Sequence, residues 1–323
     1  MPHGAAIDED IDEEATWREL RLVLEAAVAK WMVADVEVGS FLSGGLDSSI
    51  IAAIAAQVLR RERPGKRLKT FSVGLAGSPD LLAARRVANH IGADHDEYAF
   101  TAEDVADVLP HVIYHLESAD IDLVRSAIPT DFAARLARTK VKAVLTGEGA
   151  DELFAGYTYH EGYVDTPREL AEELTRSLSA MHNINLQRVD RITMAESLEA
   201  RTPFLDRELI DFAQSIPATL KLKRTDPEAA EATGPITEKW ILRKAVTDLL
   251  PDDLVWRKKA QFDEGSGTVD ALEGALMALA GAKTPLDRAA EGALYERLLR
   301  SRYDEPDMIL ANAGAWVEGR VSQ

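Results

Sequence analysis

Apolar residues recur along this chain with two periods, and the point where one gives way to the other divides the sequence. Leu20, Leu24, Ala27, Val28 and Trp31 are spaced as one face of a helix. The acidic run Asp8 to Glu14 ahead of them sits where a helix N-terminus favours negative charge, and reads as a solvated helix start. Val36 to Leu42 is a short apolar run ending in a glycine-rich turn, and Ile50 to Leu59 reads as the helix that follows. The alternation continues with strands predicted at Leu68 to Val73, His95 to Phe100 and Val141 to Thr146, and helices at Asp80 to Ile91, Ala102 to Leu116 and Ala127 to Arg138. Such alternation predicts an α/β, doubly wound fold: a mostly parallel sheet wrapped by helices on both faces. Ligands bind such sheets at the carboxyl ends of the strands, near the switch point of strand order.

From about Tyr157 strand signals fade and helical periodicity dominates, with helices predicted at Ile236 to Leu250 and from Val269 to the C-terminus. Three parts follow: an N-terminal helical segment (1–35), an α/β core (36–160) and a helical part (161–323) closing over the ligand edge of the sheet. No clear linker separates them, so one continuous domain is expected. Thr225 to Pro235, rich in Pro, Gly and charge, is the best candidate for a mobile surface loop. There is no internal repeat and no low-complexity tract.

With 323 residues, 46% of them hydrophobic, the chain can bury a substantial core. No stretch approaches the roughly 18 to 20 uninterrupted apolar residues of a membrane span, and Met1-Pro2-His3-Gly4 lacks the layout of a secretory signal, so a cytoplasmic protein is expected. The absence of cysteine excludes disulfides, thiolate metal sites and a cysteine nucleophile. A net charge of −18 argues against a general grip on nucleic acid or anionic membranes, both of which reward clustered Lys and Arg. The expected partners are small molecules or another protein.

The string Leu42-Ser43-Gly44-Gly45-Leu46-Asp47-Ser48-Ser49 falls between a predicted strand and a predicted helix. Small residues let the backbone approach an anion, N–H groups and hydroxyls supply donors, and the helix adds its positive end, which together build a phosphate cradle. Phosphate alone would repel Asp47, so a magnesium ion bridging carboxylate and phosphate is expected. The spacing of the Walker-type loop is missing. A second acidic loop, Thr146-Gly147-Glu148-Gly149-Ala150-Asp151-Glu152-Leu153-Phe154-Ala155-Gly156-Tyr157, also follows a predicted strand, and Asp151 could meet Asp47 across a shared metal.

The first string resembles the SGGxDS loop of the ATP pyrophosphatases, which cleave ATP between its α- and β-phosphates. With the second, it resembles the synthetase domain of glutamine-dependent asparagine synthetases. Further strings fit the same family: Phe71-Ser72-Val73-Gly74, Gly77-Ser78-Pro79-Asp80, Val124-Arg125-Ser126, Glu199-Ala200-Arg201-Thr202-Pro203-Phe204-Leu205-Asp206 and Trp256-Arg257-Lys258-Lys259-Ala260-Gln261-Phe262. The likeness covers about residues 15 to 270. It implies a five-stranded, adenine nucleotide α-hydrolase-like sheet of the ATP pyrophosphatase type, with ATP and Mg2+ as cofactors. It further implies Leu42, Val73 and Gly147 around adenine; Ser43, Gly44, Gly45, Asp47 and Ser48 around the phosphates, with Thr146 opening the second ATP-binding loop; and Asp47 with Asp151 on the metal. Arg125 and Lys259 would stabilise charge at the α-phosphate and on pyrophosphate, and Glu148 would orient ammonia and take its proton. Glu199 and Arg201 are candidates for substrate contact, although Pro203-Phe204-Leu205 beside them reads as core packing.

The implied reaction activates the side-chain carboxylate of aspartate by attack on the α-phosphorus, after which ammonia displaces AMP to give asparagine. The family's usual glutaminase domain, with its catalytic first cysteine, is missing from the sequence. Free ammonia, a separate glutaminase subunit, or a fragment of a longer protein all remain open as explanations, as does a homodimer. β-Lactam and carbapenam synthetases, the nearest enzymatic alternatives, carry Tyr where this chain has Glu148; amidotransferases of modified substrates and a non-catalytic ATP-binding protein are the others. His111 and His115, four apart on a predicted helix, have a spacing that suits a metal. No third ligand is evident, and the pair reads as ordinary helix positions.

Overall fold

Asp12 starts the first helix: its carboxylate accepts from the backbone N–H of Glu14 and Ala15, and α1 (Glu13–Trp31) then buries Leu20, Leu24, Ala27 and Val28 on one face. The structure is a computed structural model and describes residues 11–225, 235–257 and 265–314. The expected alternation is realised as β1 (Val38–Phe41), α2 (Leu46–Glu62), β2 (Lys69–Gly74), α3 (Pro79–Ile91), β3 (Asp94–Ala99), α4 (Ala102–Leu116), α5 (Ile121–Ala137) and β4 (Ala143–Leu145). Helix α5 begins at Ile121 rather than Ala127 because the Asp120 carboxylate caps it, accepting from Asp122 and Leu123 N–H. Helix α2 begins at Leu46, inside the glycine-rich string itself.

The second half continues with α6 (Ala150–Phe154), α7 (Pro167–Ala180), α8 (Asn185–Ala195), β5 (Glu199–Arg201), α9 (Arg207–Ser215), α10 (Ala218–Lys221), β6 (Leu222–Arg224), β7 (Ile236–Glu238), α11 (Trp240–Lys244), α12 (Asp252–Val255), α13 (Thr268–Ala280), α14 (Arg288–Arg300) and α15 (Pro306–Asn312). Two expectations need correction here. Strand pairing does not end near Tyr157: β5 joins the main sheet in register Ala143↔Glu199 and Leu145↔Arg201, and three residues of strand leave no periodicity to read. The helix expected from Ile236 to Leu250 is instead strand β7, paired antiparallel with β6, followed by the short α11. Lys239 separates them in the left-handed region, at φ 55°. Of the loop expected at Thr225 to Pro235, residues 226–234 lie outside the described residues.

The main sheet has the order β3-β2-β1-β4-β5, and every pairing in it is parallel. Successive residues of β4 face opposite ways. Ala143 and Leu145 enter the core shared with α1, α2, α3 and α9, while Val144 packs with Phe71, Ala134 and Ala137 on the α5 side. The first of these cores also takes Ile241, Leu242 and Val255 from the second half of the chain. A further cluster joins α4, α5, α13 and α14 with Ile192 of α8. Among the described residues no helix is long and apolar enough to cross a membrane.

Candidate active site

Strand order runs outward in one direction from β1 through β2 to β3, and in the other from β4 to β5. The switch point therefore lies between β1 and β4, and the segments leaving the carboxyl ends of these two strands emerge side by side. Those segments are the two glycine-bearing strings. Gly147 measures how closely they meet: a Cβ there would stand 2.9 Å from Asp47 Cβ and 2.9 Å from the Ser48 nitrogen.

The first loop is held open by its own hydroxyls. Ser48 Oγ accepts from Ser43 N–H at 3.2 Å and lies 3.0 Å from Ser43 Oγ, which accepts from Gly45 N–H at 3.3 Å. Ser49 Oγ donates to the Gly45 carbonyl at 2.7 Å. Gly45 precedes α2 and supplies no side-chain cap, which leaves the helix's first N–H groups for a ligand. Gly44 sits at φ 78°, and a Cβ on it would lie 2.6 Å from the Ala84 nitrogen and 2.7 Å from the Asp80 carbonyl. Gly44→Ala should therefore cost roughly 1–3 kcal/mol for the strained backbone alone and more for the collision. Gly77 also has positive φ but faces open space, so Gly77→Ala should cost only the strain. Equal losses in urea midpoint would contradict the close approach at Gly44.

Arg257 buttresses this loop from the far end of the chain. Its NH1 donates to the Gly44 carbonyl at 3.2 Å and its NH2 to Asp80 Oδ1 at 2.8 Å. Burial raises the Asp80 pKa, against the lowering effect of the Arg257 guanidinium. Leu42 and Val73 are buried at the ends of β1 and β2, and Thr146 is buried with no partner for its Oγ1.

The centre of the site is a group that sequence reasoning missed. Lys239 Nζ donates to Asp47 Oδ1 at 2.6 Å and Oδ2 at 2.5 Å, and lies 2.6 Å from Asp151 Oδ1. The lysine side chain is 2% exposed. Burial works against its charge, but Asp151 and Asp47 outweigh burial and hold its pKa above the ordinary lysine value. Gly156 makes room for it: a Cβ there would fall 2.0 Å from Asp151 Oδ1 and 2.1 Å from Lys239 Cε. The carboxylates of Asp47 and Asp151 thus converge on one point, the Lys239 ammonium, where the sequence led us to expect a shared metal. Each carboxylate oxygen has two lone pairs, so both residues can hold Lys239 and still present oxygen to a hard cation. The glycine approaches, the open helix end and the orphaned Thr146 hydroxyl give a magnesium nucleotide a fitting donor set.

Glu148 lies on the same loop and is 20% exposed; its Oε1 accepts from Arg188 NH2 at 2.6 Å. Arg188, in turn, lies on α8 and is seated by Thr130 Oγ1 at 3.3 Å. Glu152 faces elsewhere: it accepts from Tyr157 OH at 2.5 Å and Asn185 Nδ2 at 2.9 Å, and burial, reinforced by Asp151, pushes its pKa up to about 7.

Arg125, Glu199 and Arg201 are engaged by other partners. Arg125 makes a two-pronged pair with Glu291 at 2.8 and 2.6 Å. Glu199 is 59% exposed and pairs with Arg201, whose NH1 donates to the Trp31 and Val33 carbonyls at 2.6 and 2.9 Å. Both side chains are thus engaged at the end of α1, although the Arg201 carbonyl does accept from Thr146 N–H. Lys259 lies outside the described residues. The spacing that suggested a metal at His111 and His115 has a different outcome, since His111 meets Asp131 and Glu196.

The family described as asparagine synthase matches residues 19–165 and 162–320. Asparagine synthetase [glutamine-hydrolyzing] 2 of Arabidopsis thaliana is 40% identical over 257 residues, covering 77% of this chain and 43% of that protein. Asparagine synthetase [glutamine-hydrolyzing] of Asparagus officinalis is 41% identical over 257 residues, with 77% and 42% covered. The match thus spans less than half the length of either relative. Among solved structures, NMN synthetase from Francisella tularensis is 12% identical with a TM-score of 0.35, covering 91% of this chain and 97% of that one. NAD+ synthetase from Burkholderia Pseudomallei is 15% identical with a TM-score of 0.32, covering 93% and 91%.

Proposed function

This chain belongs to the asparagine synthase family, and from that membership we propose that it is an ATP-consuming ligase that turns aspartate and ammonia into asparagine, AMP and pyrophosphate. The convergence of Asp47 and Asp151 on Lys239 Nζ carries the proposal, because it brings both acidic loops to one point at the switch of the sheet. A carboxylate does not react with ammonia at neutral pH until its oxygen becomes a good leaving group. Attack of the aspartate side chain on the α-phosphorus of ATP supplies that, forming an acyl-adenylate and releasing pyrophosphate.

In this proposal Ser43, Gly45 and Ser48 hold the departing phosphates through N–H and hydroxyl donors, and Leu42, Val73, Thr146 and Gly147 line the nucleotide. Asp47 and Asp151 hold Mg2+, which supplies positive charge where phosphate charge develops. Lys239 keeps the two carboxylates from repelling each other and adds a fixed ammonium beside the phosphates. Arg125 and Lys259 are assigned to the α-phosphate and pyrophosphate, Arg125 after releasing Glu291. Glu148 then orients ammonia and takes its proton. Arg188 fixes the position of that carboxylate through a 2.6 Å contact.

Glu148→Gln keeps the shape of this side chain and removes its basicity. It is expected to lower asparagine formation by roughly 100- to 10,000-fold while leaving aspartate-dependent pyrophosphate release within a few-fold of the parent; equal losses in both would remove Glu148 from the amide-forming step. Glu148 also favours an external amine over the ring closure of β-lactam-type relatives. We further propose that the reaction takes place in the cytoplasm, with ammonia either free or delivered by a glutaminase. Incubation with ATP, Mg2+, aspartate and either ammonia or glutamine tests the whole reading through the AMP and asparagine produced. Asparagine from ammonia alone supports it with free ammonia as donor, and ATP cleavage to ADP would overturn it.

A further inference from the structure

A second cluster of ionisable groups lies on the other face of the sheet, where α4, α5 and the end of α8 pack together. His111 Nε2 on α4 stands 3.4 Å from Asp131 Oδ1 on α5 and 3.6 Å from Glu196 Oε1, the residue that ends α8. One ligand atom from each of the three falls within 4.8 Å of the others. Asp131 has no exposed side-chain surface, yet neither of its carboxylate oxygens has a hydrogen-bond partner, and His111 Nε2 likewise has none. A buried carboxylate left without hydrogen bonds is costly unless a cation compensates it.

The cations now beside it are poor matches. Arg135 Nε lies 2.7 Å from Asp131 Oδ2 and 3.4 Å from Glu196 Oε1, and Arg138 reaches the other oxygen of Glu196 at 2.8 Å. Their side chains are 41% and 54% exposed, so both can swing into water. His111 is one-third exposed, which opens a route for an ion. Burial, with His115 beside it, lowers the His111 pKa and favours the neutral imidazole that binds metals. Burial also pushes the Asp131 pKa up to about 7.

We propose that His111, Asp131 and Glu196 form a site for a divalent transition metal of the zinc type, with water completing the coordination on the exposed side. Separations of 3.4 and 3.6 Å match the roughly 3.3 Å edge of a tetrahedron whose metal–ligand bonds are about 2.0–2.1 Å, and one imidazole with two carboxylates disfavours magnesium or calcium, which take oxygen alone. The bound ion displaces Arg135, satisfies Asp131 and pins three elements. Two of them, α5 and α8, carry the Thr130 and Arg188 that seat Glu148. The proposal does not depend on the assigned reaction.

Cobalt(II) serves as the probe, because its visible absorption reports coordination directly. Full-length protein stripped with chelator should take up one equivalent with tetrahedral or five-coordinate bands, and one equivalent of zinc should remove them. His111→Ala and Glu196→Gln should lose the bands, while Asp47→Asn should keep them, which excludes the nucleotide site as their source. Arg135→Ala removes the competitor without removing a ligand and should tighten binding. Parent protein that takes up no cobalt, bands that persist in His111→Ala, or unchanged affinity in Arg135→Ala would each overturn the proposal. The parent titration stands even if a variant fails to fold.

Discussion

Asp47→Asn and Asp151→Asn are each expected to cut aspartate-dependent AMP formation by roughly a thousandfold. The two carboxylates come from different loops, after β1 and after β4, and both lie against one lysine nitrogen. Each amide keeps the size of the side chain, so the scaffold should survive, but the site loses one of the two anions that hold its cations. Losses of similar size in the two variants, with the double variant no worse than either, would follow from their acting as a unit. Near-parental turnover in either one would break the assignment. The expected fault is in chemistry more than in nucleotide contact, since the serine and backbone donors of residues 43–48 remain.

Lys239→Met should have the second-largest effect, and it should appear in stability as well as activity. The ammonium is buried and both Asp47 and Asp151 face it, so removing it takes away the cation that the two neighbouring carboxylates share. Breaking a buried pair in this way costs on the order of 3–5 kcal/mol, which a shift in urea midpoint would record. Added Mg2+ should restore more stability to the variant than to the parent, because a dication can then take the ammonium's place between the carboxylates. A midpoint within about 0.5 kcal/mol of the parent would show that Lys239 does not neutralise this pair.

What the sequence revealed, and what it hid, follows from how local each signal is. The first half alternates strands and helices of ordinary length, so elements from α1 to β4 could be placed, and residues 42–49 and 146–157 each carry their glycines, hydroxyls and acids within a dozen positions. Lys239 and Arg188 had no such signature, and Arg257 stood out only as part of the string Trp256 to Phe262. A single Lys or Arg reads as a surface group, and only packing across the chain brings Lys239 to Asp47, Arg188 to Glu148 and Arg257 to Gly44. Strand β5 was invisible because three residues, Glu199 to Arg201, show no alternation of apolar and polar positions. The His111, Asp131 and Glu196 cluster is spread over α4, α5 and the end of α8, so the histidine spacing pointed at His115 instead of the carboxylates.

Exchange of labelled pyrophosphate into ATP, measured without ammonia, tests the central claim most directly, since it requires a reversible acyl-adenylate formed in one site. Exchange should depend on both aspartate and Mg2+ and disappear in Asp151→Asn. Exchange that proceeds without aspartate, or survives in Asp151→Asn, would contradict the meeting of these two loops around a single nucleotide.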